Sequence, residues 1–346
     1  MYKTKLISLL KVFSKQEIIR FNDFIRSPFF NKNENNLKLA EAVLNYWPDF
    51  ESSELTEENI YKRIFPGEKF EYFRIKNIIS DVYGLASEFL KVTLSQSRKQ
   101  DGEIILLNAL HDRKLDHIYK QREKKIKNEL LNSKVKDEDN YLRQYQLERV
   151  NIAHYKFAGS SYSFNSIQTE FDSFLQYSLT GLLRHYSKML HNKNHGNINF
   201  DMKMFNNVWD YVKNSDLSNN PSCMVYEQII KLELSKDEIE YRKLIEIKTK
   251  YKNNIPDEEL YYILLVQNSF AAYKLKSGDE SYYQERFLIF KEMVELGFMS
   301  CKYVIYPNFI SAFTSACMAG EYIWAEEFLK KASNGISPTE EKFNTL

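Results

Sequence analysis

The sequence predicts an all-α protein, and three observations lead to that prediction. Apolar residues recur at the spacing of one helix face through most of the 346 residues, for example at Ile18, Phe21, Phe24 and Ile25. No segment alternates apolar and polar residues over the length of a strand, so no pair of strands flanks a hairpin turn. The chain has ten glycines and seven prolines, fewer than turn-rich β folds and phosphate-binding α/β folds use.

Residues 1–97 are expected to form an N-terminal helical bundle. Ser14 and Glu17 have the spacing of a capping box, which starts a helix, and Pro28 with the asparagines after it ends that helix. Further helices are expected at about 35–47, 57–65 and 72–94, each with an apolar stripe.

Residues 98–213 form a middle region in which the predicted helices are longer. They are expected at about 104–130, 141–157, 167–190 and 200–212. The first of them would place Leu115 and Ile118 on the same apolar face as Ile104, and Gly159–Ser163 would form the turn before the third.

Residues 214–346 are expected to form antiparallel helix pairs stacked as a tetratricopeptide-like α-solenoid. In the last pair, Ala316, Gly320, Glu321 and Ala325 follow the order that is typical of that repeat, in which small residues let two helices cross closely. The pairs are expected at about 221–234 with 237–252, 257–276 with 280–296, and 303–319 with 321–333.

The C-terminal segment is expected to begin one more helix. Ser337 can cap it and Pro338 suits its first position, but the chain stops at Leu346 before a repeat is complete. The last face of the stack would then be covered by further chain, by a partner or by self-association through this end.

Several motifs of the N-terminal block occur together. They are Phe13-Ser-Lys-x-Glu17, Phe21-x-x-Phe24, Ser27-Pro-Phe-Phe-Asn-Lys-Asn33 and Ile64-Phe-Pro-Gly67. In this combination the chain resembles an uncharacterised family of bacterial all-helical proteins. The resemblance implies an N-terminal helical block followed by tetratricopeptide-like helices, and it implies no activity and no functional residue.

The common catalytic motifs are missing from the sequence. A phosphate-binding loop needs closely spaced glycines, and no two glycines lie within five residues of each other. Cys223, Cys301 and Cys317 are too widely spaced to indicate a disulfide framework or a cysteine metal cage. We therefore expect no enzyme, no catalytic residue and no cofactor.

A histidine pair is the one candidate metal motif. His191 and His195 stand one helical turn apart, so they could offer two imidazoles on one helix face. No glutamate follows His191 as in the H-E-x-x-H zinc motif, and Asn192, Asn194 and Gly196 indicate that the helix ends there. The sequence therefore favours a solvated helix terminus and predicts no metal site.

Two basic patches support an alternative function, nucleic-acid binding or transcription-associated regulation. The whole chain carries a formal charge of only +1, but basic residues are concentrated at 113–136. Four more, Arg184, Lys188, His191 and His195, form one stripe if their helix persists.

The favoured function is a non-enzymatic interaction scaffold or adaptor that binds a protein segment in a helical-repeat groove. Tyrosine is well suited to such contacts, because one end of its ring is apolar and the other is polar. The residues expected to line this groove are Tyr261, Tyr262, Tyr273, Tyr303 and Tyr306.

The compartment is expected to be the cytoplasm. Lys11 interrupts the short apolar stretch at the N-terminus, so that stretch does not match a signal peptide. No window has the length and hydropathy of a membrane span, so no membrane association is expected.

Overall fold

The computed structural model describes residues 1–97, 99–157, 164–299 and 306–333, and within these ranges every regular element is an α-helix. The chain divides into two compact units, Met1–Leu106 and Leu107–Leu346. The second unit takes in all of the predicted repeats and most of the predicted middle region.

The first five helices belong to the N-terminal unit, and a sixth includes the boundary between the units. They are α1 (Lys5–Lys11), α2 (Lys15–Arg26), α3 (Glu34–Leu44), α4 (Glu57–Ile64), α5 (Tyr72–Ser97) and α6 (Lys99–Asp112). The others are α7 (Asp116–Leu131), α8 (Glu138–Phe157), α9 (Phe164–Gly196), α10 (Phe205–Lys213), α11 (Pro221–Ser235), α12 (Glu238–Tyr251), α13 (Asp257–Lys276), α14 (Tyr282–Glu295), α15 (Tyr306–Met318) and α16 (Tyr322–Ser333).

The N-terminal unit is built around α5, against which α1 to α4 pack. Its α2 begins with the predicted capping box, in which Ser14 accepts from the Glu17 amide and the Glu17 carboxylate accepts from the Ser14 amide at 2.8 Å. Phenylalanine rings fill the centre: Phe21 and Phe89 have centroids 5.6 Å apart, and Phe13 lies within 6.0 Å of both. Burial of apolar side chains is therefore the main source of this unit's stability.

One predicted helix of the middle region is in fact two. The chain breaks between α6 and α7, where Lys114 adopts a left-handed conformation with φ of 59°. The Leu115 amide donates to the Leu110 carbonyl at 3.0 Å, a bond that closes a helix end. This position usually holds glycine, so a lysine there gave no warning of the break. Leu115 and Ile118 are exposed, and the expectation of one continuous apolar face was wrong.

The three predicted helix pairs each pack together, as α11 with α12, α13 with α14, and α15 with α16. Each pair is joined at a residue with positive φ, which reverses the chain: Lys236 at 55°, Gly278 at 93° and Gly320 at 79°. Helix boundaries in this region agree closely with the sequence, and the predicted span 257–276 coincides with α13.

The longest helix, α9, lies against α8 on one side and α11 on another. A polar contact sets the position of α11. Asn220 caps α11 by accepting from the Cys223 amide at 3.0 Å, and its side-chain amide donates to Gln176 and Thr180 of α9 at 2.8 and 3.0 Å. Because Asn220 is buried, these hydrogen bonds favour a single register between the two helices.

Among the residues that the structure describes, no helix combines the length and apolar character needed to cross a bilayer. The predicted turn at Gly159–Ser163, the cysteine at position 301 and the C-terminal segment 334–346, with its expected self-association, lie outside the described residues.

Candidate functional site

The predicted basic stripe lies on α9, which continues as a helix to Gly196. Arg184 pairs with Glu138 at 2.9 Å, and the Lys188 ammonium lies 5.7 Å from the centre of the Tyr262 ring. His191 and His195 both approach the carboxylate of Glu233, as described below. Three of the four cationic or basic groups thus have carboxylate partners, which reduces the positive potential available for phosphates.

A pocket of about 310 Å³ lies beside this stripe, where the first turns of α8 and α13 meet α9 and α11. Carboxylates dominate its lining, and two cations and two tyrosines complete its polar surface. The residues are Asp137, Glu138, Asp139, Arg184, Lys188, Tyr226, Pro256, Asp257, Glu258, Glu259 and Tyr262.

The two helix N-termini are held together by backbone and side-chain hydrogen bonds. Asp137 caps α8 by accepting from the Asn140 amide at 2.8 Å. Just before it, the Lys136 amide donates to the Asn254 carbonyl at 3.3 Å, and the Asn254 side chain donates to the Lys134 carbonyl at 3.0 Å. These bonds join the segment before α8 to the segment before α13, so both sets of first-turn carboxylates face the same pocket.

Glu138 reaches across to α9 over Gly181. A Cβ atom at Gly181 would lie 3.2 Å from Glu138 Oε1, so the missing side chain gives the carboxylate room to approach Arg184. Acidic residues in a first helical turn are stabilised by the helix dipole without any ligand. That effect accounts for the charges at the two N-termini but not for their convergence on one cavity.

Glu259 is the buried member of the pocket, with 7% of its surface exposed. Its Oε2 accepts from the Ser222 hydroxyl at 2.8 Å, and Tyr226 also hydrogen-bonds to the carboxylate. Burial raises the pKa of Glu259 to about 7, against the lowering effect of these two hydrogen bonds. Glu259 can therefore change charge near neutral pH.

A second buried carboxylate, Glu233 of α11, meets α9 at its C-terminal end. Its Oε1 lies 2.8 Å from His191 Nδ1 and 3.6 Å from His195 Nε2. Its Oε2 accepts from the Asn194 side chain at 2.7 Å and from Lys236. Burial acts to raise the pKa of Glu233, but the hydrogen bonds from His191, His195, Lys236 and Asn194 outweigh it and hold the pKa well below its usual range.

The two carboxylate sites are neighbours, because Tyr262 lies between them. One part of Tyr262 lines the pocket, and the His191 ring packs edge-on against it with centroids 6.1 Å apart. The sequence showed no sign of Glu233 or Glu259 as site residues, since each comes from a helix distant in the chain from α9.

The tyrosines predicted to line a groove are distributed over different environments. Tyr262 lines the pocket, Tyr261 packs against Phe298 at 5.4 Å, and Tyr273 is 45% exposed. Tyr303 lies outside the described residues, as does the side chain of Tyr306, the first residue of α15. Of the three whose side chains the structure describes, one, Tyr262, lies at the candidate site.

The second predicted basic patch, 113–136, lies on and around α7. Several of its cations have partners: Lys127 lies 3.5 Å from Glu148, and Lys136 donates to the Leu130 and Leu131 carbonyls at 2.9 Å. Burial lowers the pKa of Lys136. Nucleic-acid binding by this patch stays a prediction.

Cys223, in the first turn of α11, is buried and lies 3.2 Å from the Thr180 hydroxyl. Burial raises the pKa of its thiol to about 12. A thiol that remains protonated is a poor nucleophile, so Cys223 acts as part of the packing between α9 and α11.

Comparison with protein-family models, with curated proteins and with solved structures found no match to this chain. The resemblance of the N-terminal block to a bacterial family therefore stays a prediction. The geometry of the two carboxylate sites is the basis for interpreting function.

Proposed function

We propose that this protein is a non-catalytic interaction scaffold of the cytoplasm that binds a basic side chain of a partner protein in the pocket between α8 and α13. In this proposal the helix pairs of residues 214–346 form the tetratricopeptide-like stack, and the chain belongs to the bacterial family that its N-terminal motifs resemble. The observation that supports the proposal is the excess of carboxylates over cations in the pocket lining.

Charge favours a lysine or arginine as the occupant. Six carboxylic acids line the pocket against Arg184 and Lys188, and Arg184 is already paired with Glu138. An incoming cation would meet exposed carboxylates such as Asp257 and Glu258. The rings of Tyr226 and Tyr262 add surfaces over which a cation is stabilised.

The size of the cavity agrees with a single side chain. Its volume of about 310 Å³ lies at the lower end of the range for small-molecule sites, about 300–1,000 Å³. A cofactor of ordinary size would fill or exceed it, whereas one lysine or arginine of an extended segment would fit within it.

Binding of a cation in the pocket should be coupled to the loss of a proton from Glu259. A cation beside a carboxyl group favours its ionised form, so binding would release a proton from Glu259 when the pH lies near its pKa of about 7. The affinity for a basic segment should therefore rise as the pH rises through that value. Glu259→Gln should abolish this rise, because glutamine does not titrate.

Selection from a random peptide display library tests the proposal. The intact chain should enrich peptides that contain lysine or arginine, and the double variant Asp257→Asn/Glu258→Gln should lose that enrichment. The matched control is Glu57→Gln/Glu58→Gln, which removes two first-turn acids from α4 in the N-terminal unit. Equal enrichment by the pocket variant and the control, or selection of acidic peptides, would refute the proposal.

A further inference from the structure

We infer that His191, His195 and Glu233 form a divalent metal site suited to Zn²⁺. The three side chains contribute one ligand atom each, and these atoms all lie within 4.8 Å of one another. Two imidazole nitrogens and one carboxylate oxygen are a donor set that zinc accepts, and imidazole is a preferred ligand for that metal.

Two of the three separations between ligand atoms are close to those around a shared ion. Atoms that each lie about 2.1 Å from a tetrahedral zinc ion are about 3.4 Å from one another. His195 Nε2 and Glu233 Oε1 are 3.6 Å apart, close to that separation. His191 Nδ1 lies 2.8 Å from the same oxygen, so it needs to move away by only about half an ångström.

Each ligand is oriented by the fold. His191 and His195 stand one turn apart on α9, so their side chains share a face. Glu233 is held through its other oxygen, Oε2, by Asn194 and Lys236, which leaves Oε1 for the imidazoles. Hydrogen bonds of this kind orient metal-binding carboxylates in known sites.

Two features indicate the character of the site. The Glu233 side chain is 2% exposed, whereas that of His195 is 29% exposed, so an ion would have one buried ligand and one at the surface. Three protein ligands leave the fourth position of a tetrahedral zinc ion to water or to an external group. Lys236 offsets part of the Glu233 charge, which should make the site weaker than one with four protein ligands.

Titration calorimetry of the full chain with Zn²⁺ alone tests the inference. Wild type should bind one ion saturably, and His195→Gln and His191→Gln should each weaken binding at least as much as loss of an outer hydrogen bond does, about 10–100-fold. His195 is exposed, so its variant should stay folded, as circular dichroism can verify. The control is His185→Gln, which changes an exposed histidine of the same helix and should bind like wild type.

X-ray absorption at the zinc edge provides a second readout. The wild-type complex should show two imidazole ligands, and His195→Gln should show one or none. The inference is overturned if wild type shows no saturable binding, or if His195→Gln binds as tightly as His185→Gln.

Discussion

The two units differ in what their interiors contain. Among the described residues, Met1–Leu106 buries one polar side chain, Asn36, whereas Leu107–Leu346 buries fifteen. A buried polar group destabilises a fold unless it is hydrogen-bonded, so the second unit needs more buried side-chain hydrogen bonds than the first. Networks such as those of Asn220, Glu233 and Glu259 supply many of these hydrogen bonds, and both candidate sites lie among them.

Two of the buried glutamates of the second unit, Glu233 and Glu259, make this comparison more specific. Burial acts to raise the pKa of both, yet Glu233 has a lowered pKa and Glu259 a raised one. The difference comes from their partners. Glu233 is contacted by two imidazoles, an ammonium group and an amide, whereas Glu259 receives hydroxyl hydrogen bonds from Ser222 and Tyr226. The same residue type is therefore a fixed charge at one site and a titrating group at the other.

The largest effect is expected from the apolar core of the N-terminal unit. Phe21→Ala should destabilise this unit by about 3–5 kcal/mol, because Phe21 is fully buried among aromatic rings and its loss leaves a cavity. Hydrogen exchange of the α2 and α5 amides during urea unfolding measures the change. Ile19→Ala, at an exposed position of α2, is the control, and similar losses in both variants would show that burial does not set stability here.

The second effect is expected at Glu259 and depends on pH. Its pKa in the folded chain, about 7, lies above the ordinary 4.5, so the protonated acid suits the fold. The contribution of Glu259 to the free energy of unfolding is fully present below about pH 4.5. It is lost as the pH rises through 7, and the loss reaches about 3 kcal/mol.

Glu259→Gln should therefore gain stability relative to wild type between about pH 5 and pH 8. Urea unfolding at each pH, monitored through hydrogen exchange of the α13 amides, measures that gain. Glu258→Gln changes the exposed neighbour and should show a much smaller gain. A pH-independent difference between Glu259→Gln and wild type would contradict the buried-acid interpretation.

The third effect is expected at Glu233. The stabilisation that Glu233 provides falls as the pH falls, which is opposite to the trend at Glu259. With a chelator present, Glu233→Gln should lose about 2–3 kcal/mol at neutral pH, because hydrogen bonds to a charged group are replaced by weaker ones. The pKa of Glu233 is lowered from 4.5, so this stabilisation is present above that value and declines as the pH falls below it.

The control for Glu233 lies on the same helix. Glu227 pairs with Lys231 at 2.7 Å nearer the surface, so Glu227→Gln should cost less than about 1 kcal/mol. Comparable losses in the two variants, measured by urea unfolding, would mean that burial adds nothing to the Glu233 network.

The smallest effect is expected at the start of α2. Ser14→Ala removes the hydroxyl that accepts from the Glu17 amide and should destabilise the N-terminal unit by about 1 kcal/mol. Ser8→Ala is the control, because the exposed Ser8 hydroxyl donates to the carbonyl of Thr4, the residue that caps its own helix. Thermal unfolding followed by circular dichroism distinguishes the two, and equal midpoints would show that the capping box does not stabilise the fold.

The sequence by itself determined the helical class and most helix boundaries. Caps and periodic apolar faces depend on residues within a few positions of each other, so the bounds of α2 and α13 could be predicted from Ser14 and from the segment that begins at Asp257. The break at Lys114 could not be predicted, because a lysine was placed where a glycine would ordinarily mark a left-handed turn.

Only the tertiary structure decided what the stripe on α9 meets. Its spacing was local and could be predicted, but Glu233 lies 42 residues after His191, on a different helix. Likewise, Glu259 meets Ser222 across 37 residues. Helix packing brings such groups together, and the burial that results sets their pKa values. A linear pattern contains neither the neighbour across a helix interface nor the amount of water that the interface removes.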